Sequence, residues 1–223
     1  MTATACRYET IAVEFTQEER ELVAYHAEQA TLPAGYSDIF EGTEEELERR
    51  ELERGENQYV GMGVEAALSK WGDFLGTGGF NAFVARRELR NQNKFAGDNG
   101  IDLHLFDGRV PVDAKGSEPT RGRVFNEDTA MRLCLTHKRK VPLEKMRDIV
   151  YVFGLTERAH GEACLAPYVV LLVGWLWGYE LYGREDRAFL KGWSAVGSSL
   201  RKMHTLQNCL QAKLPVAPLI ETA

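Results

Sequence analysis

The chain has 223 residues, 44% hydrophobic and 10% aromatic, enough to bury the core of one domain and too apolar for wholesale disorder. Its four cysteines (Cys6, Cys134, Cys164, Cys209) lack CxxC spacing, which disfavours a zinc site or a disulfide framework, and its longest apolar run, "PYVVLLVGWLW", falls short of the roughly 20 residues that span a bilayer. The net charge of −6 conceals an asymmetry: residues 1–56 hold 15 acidic and 5 basic side chains, and the remainder holds 18 and 22, so the negative total does not exclude an anionic partner for the second part.

In chain order, Thr16 followed by Glu19 predicts a capping box and a helix over residues 16–31. "TLPAGYSD" is a turn-rich connection. Thr43 and Glu46 predict a second cap, opening "TEEELERRELERGENQYVG", whose acids and arginines at helical spacing read as an exposed helix. Residues 1–56 therefore read as an acidic helical N-terminal extension. It is either a solvated face or an arm that docks a protein partner or covers a basic surface. Residues 57–223 read as the main domain. In "GMGVEAALSKWGDFLG", Val64, Leu68, Trp71 and Leu75 form one helical stripe with Glu65 beside it. The glycines of "GTGGF" then break the helix, and a strand is predicted from Phe80 to Ala85. "NQNKFAGDNG" is a polar loop in which Asp98 reads as a turn-former, with a rival or auxiliary acid of the site as the alternative. "AMRLCLTH" alternates as a strand, "KRKVPLEKMR" predicts a short basic helix, and "DIVYVFGL" and "PYVVLLVGWLWGYEL" predict two strands rich in β-branched and aromatic residues. The order suggests an α/β fold with a mixed sheet flanked by helices.

Chemistry concentrates in "GIDLHLFDGRVPVDAKGS". Asp107-Gly108 is a hairpin signal between two alternating runs. Centred there, the hairpin sets Asp102 opposite Asp113, roughly 5 Å apart at Cβ. Lys115 shares that face, while Leu103, Leu105, Val110 and Val112 take the other, which reads as core. Pro111 cannot donate to a ladder and favours an edge or a bulge. Opposed carboxylates are destabilising. Either they lie on an exposed face with Lys115 as a surface partner, or they hold a hard divalent cation such as Mg²⁺, which takes oxygen ligands.

The pattern "GIDL … DAK", an acid at the start of one hairpin strand and D-x-K on the next, resembles the PD-(D/E)xK nuclease superfamily. The preceding stretch "NQYVGMGVEAALSKWG" is similar to the glutamate-bearing helix of phage and bacterial members. The resemblance covers residues 57–180 and departs from the pattern in having Ile101, not proline, before the first acid. It implies a restriction-endonuclease-like fold, a mixed central β-sheet flanked by helices, and a Mg²⁺-dependent deoxyribonuclease in which Mn²⁺ substitutes. Asp102, Asp113 and the Ala114 carbonyl would be metal ligands. Glu65 would bind through water or hold a second ion, and Lys115 would activate water and stabilise charge on the phosphate. Hydrolysis would leave a 5′-phosphate.

Phosphate contacts need cations. Arg86, Arg87, Arg90 and Lys94 precede the hairpin; Arg121, Arg123, Lys138, Arg139 and Lys140 follow it. These are candidates for DNA contact or ordinary solvated side chains. A homodimer would suit cleavage of both strands. The setting expected is the cytoplasm of a bacterial or phage-infected cell, with no membrane. The rival reading is a non-catalytic nucleic-acid-binding or partner-docking protein that keeps the nuclease fold. "HGEAC" (His160 to Cys164) lacks a second half for a zinc site, and His104, on the same hairpin face as Asp102, reads as an incidental strand histidine or as a contact to DNA or a water.

Overall fold

The computed structural model describes residues 10–31, 44–92, 101–106, 108–119, 123–138, 142–157, 169–186 and 192–211. Strand β1 (Ile11–Glu14) leads into helix α1 (Gln17–Thr31). The predicted capping box starts that helix: the Thr16 N–H donates to Glu19 Oε2 at 2.8 Å and the Glu19 N–H to Thr16 Oγ1 at 3.3 Å. Helix α2 (Glu44–Trp71) is continuous through residue 56, where the sequence suggested a domain boundary. Buried Val13, Val23 and Ala27 share the core that holds the Val64 and Leu68 stripe of α2. A 3-10 turn (Gly72–Leu75) closes α2, with Gly76 left-handed at φ 76°.

Residues 80–85 are not a strand. They belong to helix α3 (Gly79–Gln92). Phe80, Phe83 and Val84 recur at i, i+3 and i+4, and all three join the core. A helix buries these side chains together, whereas a strand would divide them between two faces. The "AMRLCLTH" segment also departs from its alternation. Asn126 accepts the Thr129 N–H at 2.9 Å and caps a short helix α4 (Glu127–Arg132), and only then does strand β4 (Cys134–Lys138) begin. Helix α5 (Leu143–Met146), strand β5 (Val150–Thr156), strand β6 (Val169–Trp177), helix α6 (Gly178–Leu181), strand β7 (Gly192–Val196), two 3-10 turns (Gly197–Ser199 and Met203–Thr205) and helix α7 (Leu206–Gln211) follow.

The hairpin strands are β2 (Leu103–Leu105) and β3 (Val110–Ser117). Five strands form one mixed sheet in the order β1-β6-β5-β3-β2, and β4 pairs with β7 in a second sheet. Within the large sheet β3 and β5 are parallel and the other neighbours antiparallel. Every residue of β5 is buried, as expected for a strand covered on both faces. One face, with Val112, Ala114, Val150 and Val152, packs in the core with α2. The other, with Tyr151, Phe153, Leu155 and Val173, packs with Ala130, Met146 and Ile149. Among the described residues no helix is long and apolar enough to cross a membrane.

Candidate functional site

The hairpin forms in the predicted register over its strands: Leu103 faces Val112, His104 faces Pro111 and Leu105 faces Val110. The loop is four residues long. The Arg109 N–H donates to Leu105 O at 3.1 Å, and Phe106 and Gly108 adopt positive φ values of 51° and 90°. The Phe106 N–H donates to Leu75 O at 2.6 Å, which docks the hairpin loop on the 3-10 turn after α2. Leu103, Leu105, Val110 and Val112 are buried, as the alternation implies.

At Asp102 the register slips by one residue. Its N–H donates to Val112 O at 2.8 Å, and its Oδ2 accepts the Ala114 N–H at 2.8 Å. The carboxylate therefore stands where a neighbouring strand's carbonyl would be. Direct opposition of Asp102 and Asp113 across a regular ladder is corrected accordingly: the two acids meet because Asp102 reaches along the edge of β3. In a strand the N–H and C=O of one residue point to the same edge. The Ala114 carbonyl therefore faces the edge that the Asp102 carboxylate occupies.

Asp113 is 3% exposed, so its face of the hairpin is not solvent at this position. Lys115 Nζ lies 2.6 Å from Asp113 Oδ1. Burial pushes the Asp113 carboxyl up to about 7. Lys115 works against that rise and Asp102 adds to it, through charge and through a hydrogen bond that favours the protonated form. Tyr151, on β5, is the register partner of Asp113 in the parallel β3–β5 pair. Burial, reinforced by the Asp113 charge, pushes its hydroxyl well up. Nothing in the sequence marked Tyr151, because its neighbour is set by parallel pairing between distant strands.

The predicted glutamate sits elsewhere. Glu65 is fully buried on α2. Its Oε2 contacts Arg87 Nη2, and its Oε1 lies 3.9 Å from Arg86 Nε. Gly116 and Gly154 show which face α2 covers: Cβ atoms built there would meet Val60 O at 2.6 Å and Val64 Cγ2 at 2.8 Å. Gly116 shares its strand face with Ala114, whereas Asp113 and Lys115 point to the opposite face. The sheet thus separates Glu65 from Asp113 and Lys115. Among the described residues no group of three or more His, Cys, Asp or Glu side chains converges as a metal cluster.

Asp102, at the edge, joins the two halves. Arg87 Nη2 and Arg90 Nη1 each lie 3.7 Å from its Oδ1. Arg90 Nη2 donates to the carbonyls of Ile101 at 2.6 Å and Asp102 at 3.0 Å, pinning the entry to β2. Arg86 turns to Ser69 Oγ at 2.6 Å and Thr77 O at 3.3 Å. Burial, then the nearby Arg90, pulls its guanidinium below the ordinary value, and Asp102 opposes the shift. The helical spacing of Arg86, Arg87 and Arg90 could have exposed this constellation, but only once α3 was read as a helix. Arg123 is exposed. Lys138 closes β4, and Lys94, Asp98, Arg121, Arg139, Lys140 and Thr43 lie outside the described residues.

The oxygen set of Asp102, Asp113 and the Ala114 carbonyl suits a hard divalent cation. It combines two adjacent carboxyls, one of them buried, with a carbonyl on the same edge. Glu65 does not join it in this arrangement. No family model, curated protein or solved structure matches this chain.

Proposed function

We propose that the protein is a Mg²⁺-dependent deoxyribonuclease with a restriction-endonuclease-like core. The observation that carries this reading is the edge of β3: Asp102 on the Ala114 N–H at 2.8 Å, buried Asp113 beside it, and Lys115 Nζ at 2.6 Å from Asp113. The order of elements supports it as well, with a long helix preceding a hairpin whose second strand lies inside a mixed sheet. Asp102, Asp113 and Ala114 O would hold Mg²⁺, with Mn²⁺ as a substitute. The ion would supply a bound water of lowered pKa and a Lewis acid at the phosphate. Lys115 orients the attacking water and stabilises charge that develops on the phosphate oxygens. Water oxygen bonds to phosphorus, the bond to the 3′ oxygen breaks, and a 5′-phosphate and a 3′-hydroxyl result. Arg87, together with Arg121, Arg123, Lys138, Arg139 and Lys140 after the hairpin, contacts the DNA backbone, while Arg90 holds the entry to β2.

A second reading, a non-catalytic binding protein on the same fold, draws on one observation. The guanidinium groups of Arg86 and Arg87 stand against Glu65, and those of Arg87 and Arg90 against Asp102, so side chains of the protein itself offset both carboxylates. Cleavage of supercoiled and linear DNA separates the two, run with Mg²⁺, Mn²⁺ or EDTA, for the wild type and Lys115→Ala. Metal-dependent cleavage that disappears in the variant is the expected result. Absence of cleavage together with absence of Mn²⁺ binding by the wild type would overturn the nuclease reading.

A further inference from the structure

The carboxyl set is approached by cations from both faces of the sheet. Lys115 comes from one face, and the guanidinium groups of α3 come round the edge from the other. Glu65 belongs entirely to the second group. It is fully buried on the face that α2 covers, and the two cations at its oxygens are Arg87, in direct contact, and Arg86, at 3.9 Å. Asp113 lies across the sheet from it. A metal ligand needs a lone pair turned toward the ion and the other ligands. Glu65 instead grips the guanidinium that itself stands 3.7 Å from Asp102 Oδ1. A buried carboxylate held this way fixes the direction of an arginine whose planar fork matches a phosphate.

We propose that Glu65 is a positioning residue for Arg87 rather than a metal ligand, and that Arg87 supplies the second positive charge of the site, directed at a DNA phosphate beside Asp102. This rests on the nuclease reading above. It deepens that reading by giving an arginine the place that a second ion would otherwise hold.

The test combines Mn²⁺ binding without DNA, followed by calorimetry and by the spin resonance of free Mn²⁺, with DNA binding in Ca²⁺ across a salt series. Four proteins are compared: wild type, Glu65→Gln, Arg87→Gln and Arg87→Lys. The expected result has three parts. Glu65→Gln holds Mn²⁺ within about threefold of wild type, well inside the tenfold or greater loss that follows removal of a metal's close support. Arg87→Gln lowers the salt slope of DNA binding by about 0.9, the value of one phosphate contact. Arg87→Lys recovers that slope. A purely structural role for the pair would leave the slope unmoved, and that outcome overturns the proposal. Loss of tenfold or more in Mn²⁺ affinity for Glu65→Gln overturns it too, while leaving the metal site standing. Failure of the wild type to bind Mn²⁺ is a separate result and sinks the metal site itself. Should Glu65→Gln fail to fold, the double variant Glu65→Leu with Arg87→Met replaces the buried pair by apolar side chains. It is expected to retain Mn²⁺ binding, and loss of binding in that folded variant has the same overturning force.

Discussion

Gly116 and Gly154 face each other across the parallel pair β3 and β5, and both lie beneath α2. Two adjacent strands thus lack a side chain where the helix that carries Glu65 comes closest. Gly116→Ala would drive a methyl group into Val60 O, a backbone atom that no rotamer change can move. The expected cost is about 1–3 kcal/mol, the range for overpacking a filled core, read as a lower urea midpoint. An unchanged midpoint would show that α2 can shift away from the sheet.

Asp113 is buried beside a second carboxyl, and its stability contribution runs opposite to that of an ordinary paired acid. A folded-state value raised to about 7 means that the native state favours the protonated form, so its contribution is present below the unfolded value near 4 and is lost as pH rises through about 7. Asp113→Asn removes the buried charge and leaves Lys115 able to reach water. We expect a gain of roughly 1–2 kcal/mol at pH 8 in EDTA, with DNA cleavage abolished. The check is thermal melting of both proteins in EDTA; a lower melting temperature for the variant would refute the expectation.

His26 on α1 is 1% exposed, with Asn91 Nδ2 of α3 at 3.3 Å from its Nδ1 and the rings of Tyr25 and Phe83 at its edges. Burial lowers its pKa; Glu88 raises it and Arg87 lowers it further. The unfolded chain therefore takes up this proton at a higher pH than the native state. Stability is complete above the unfolded value of about 6.5 and falls as pH drops below it. Denaturant titrations between pH 5 and pH 8 should show a shallower decline for His26→Gln than for wild type, and parallel curves would rule His26 out as the cause.

Arg90 fastens α3 to the start of β2 through two backbone carbonyls and the Asp102 carboxylate. Arg90→Ala should cost about 1.5–3 kcal/mol, the range for hydrogen bonds from a charged group. It should also speed amide hydrogen exchange at Asp102 and Ala114, whose N–H groups hold the slipped register. Arg90→Lys, which cannot span both carbonyls in one plane, should recover only part of the loss. Exchange at these two amides that matches wild type would show that the slip is held by β3 alone.

Much of the architecture was legible in local pattern. The Thr16 and Glu19 capping box, the Val64 and Leu68 stripe, the hairpin with its buried Leu103, Leu105, Val110 and Val112, and the apolar runs of β5 and β6 follow from spacings of a few residues. Such spacings report directly which side chains share a face. Hairpin register, set by a turn only a few residues away, also drew attention to Asp102, Asp113 and Lys115, whereas the Ala114 carbonyl entered only through the family resemblance. Three features depended on contacts between elements distant in the chain. Residues 80–85 became helical because Phe80, Phe83 and Val84 reach one core only in that form. Asp102 left the regular ladder with its carboxylate on the Ala114 N–H and Arg90 on its carbonyl, a slip that strand alternation cannot encode. Glu65 went to Arg87 because α2 packs on the glycine-bearing face of the sheet, opposite the face that presents Asp113 and Lys115. Alternation sorts side chains between two faces, but only packing decides which face a helix covers and which charges meet at the edge.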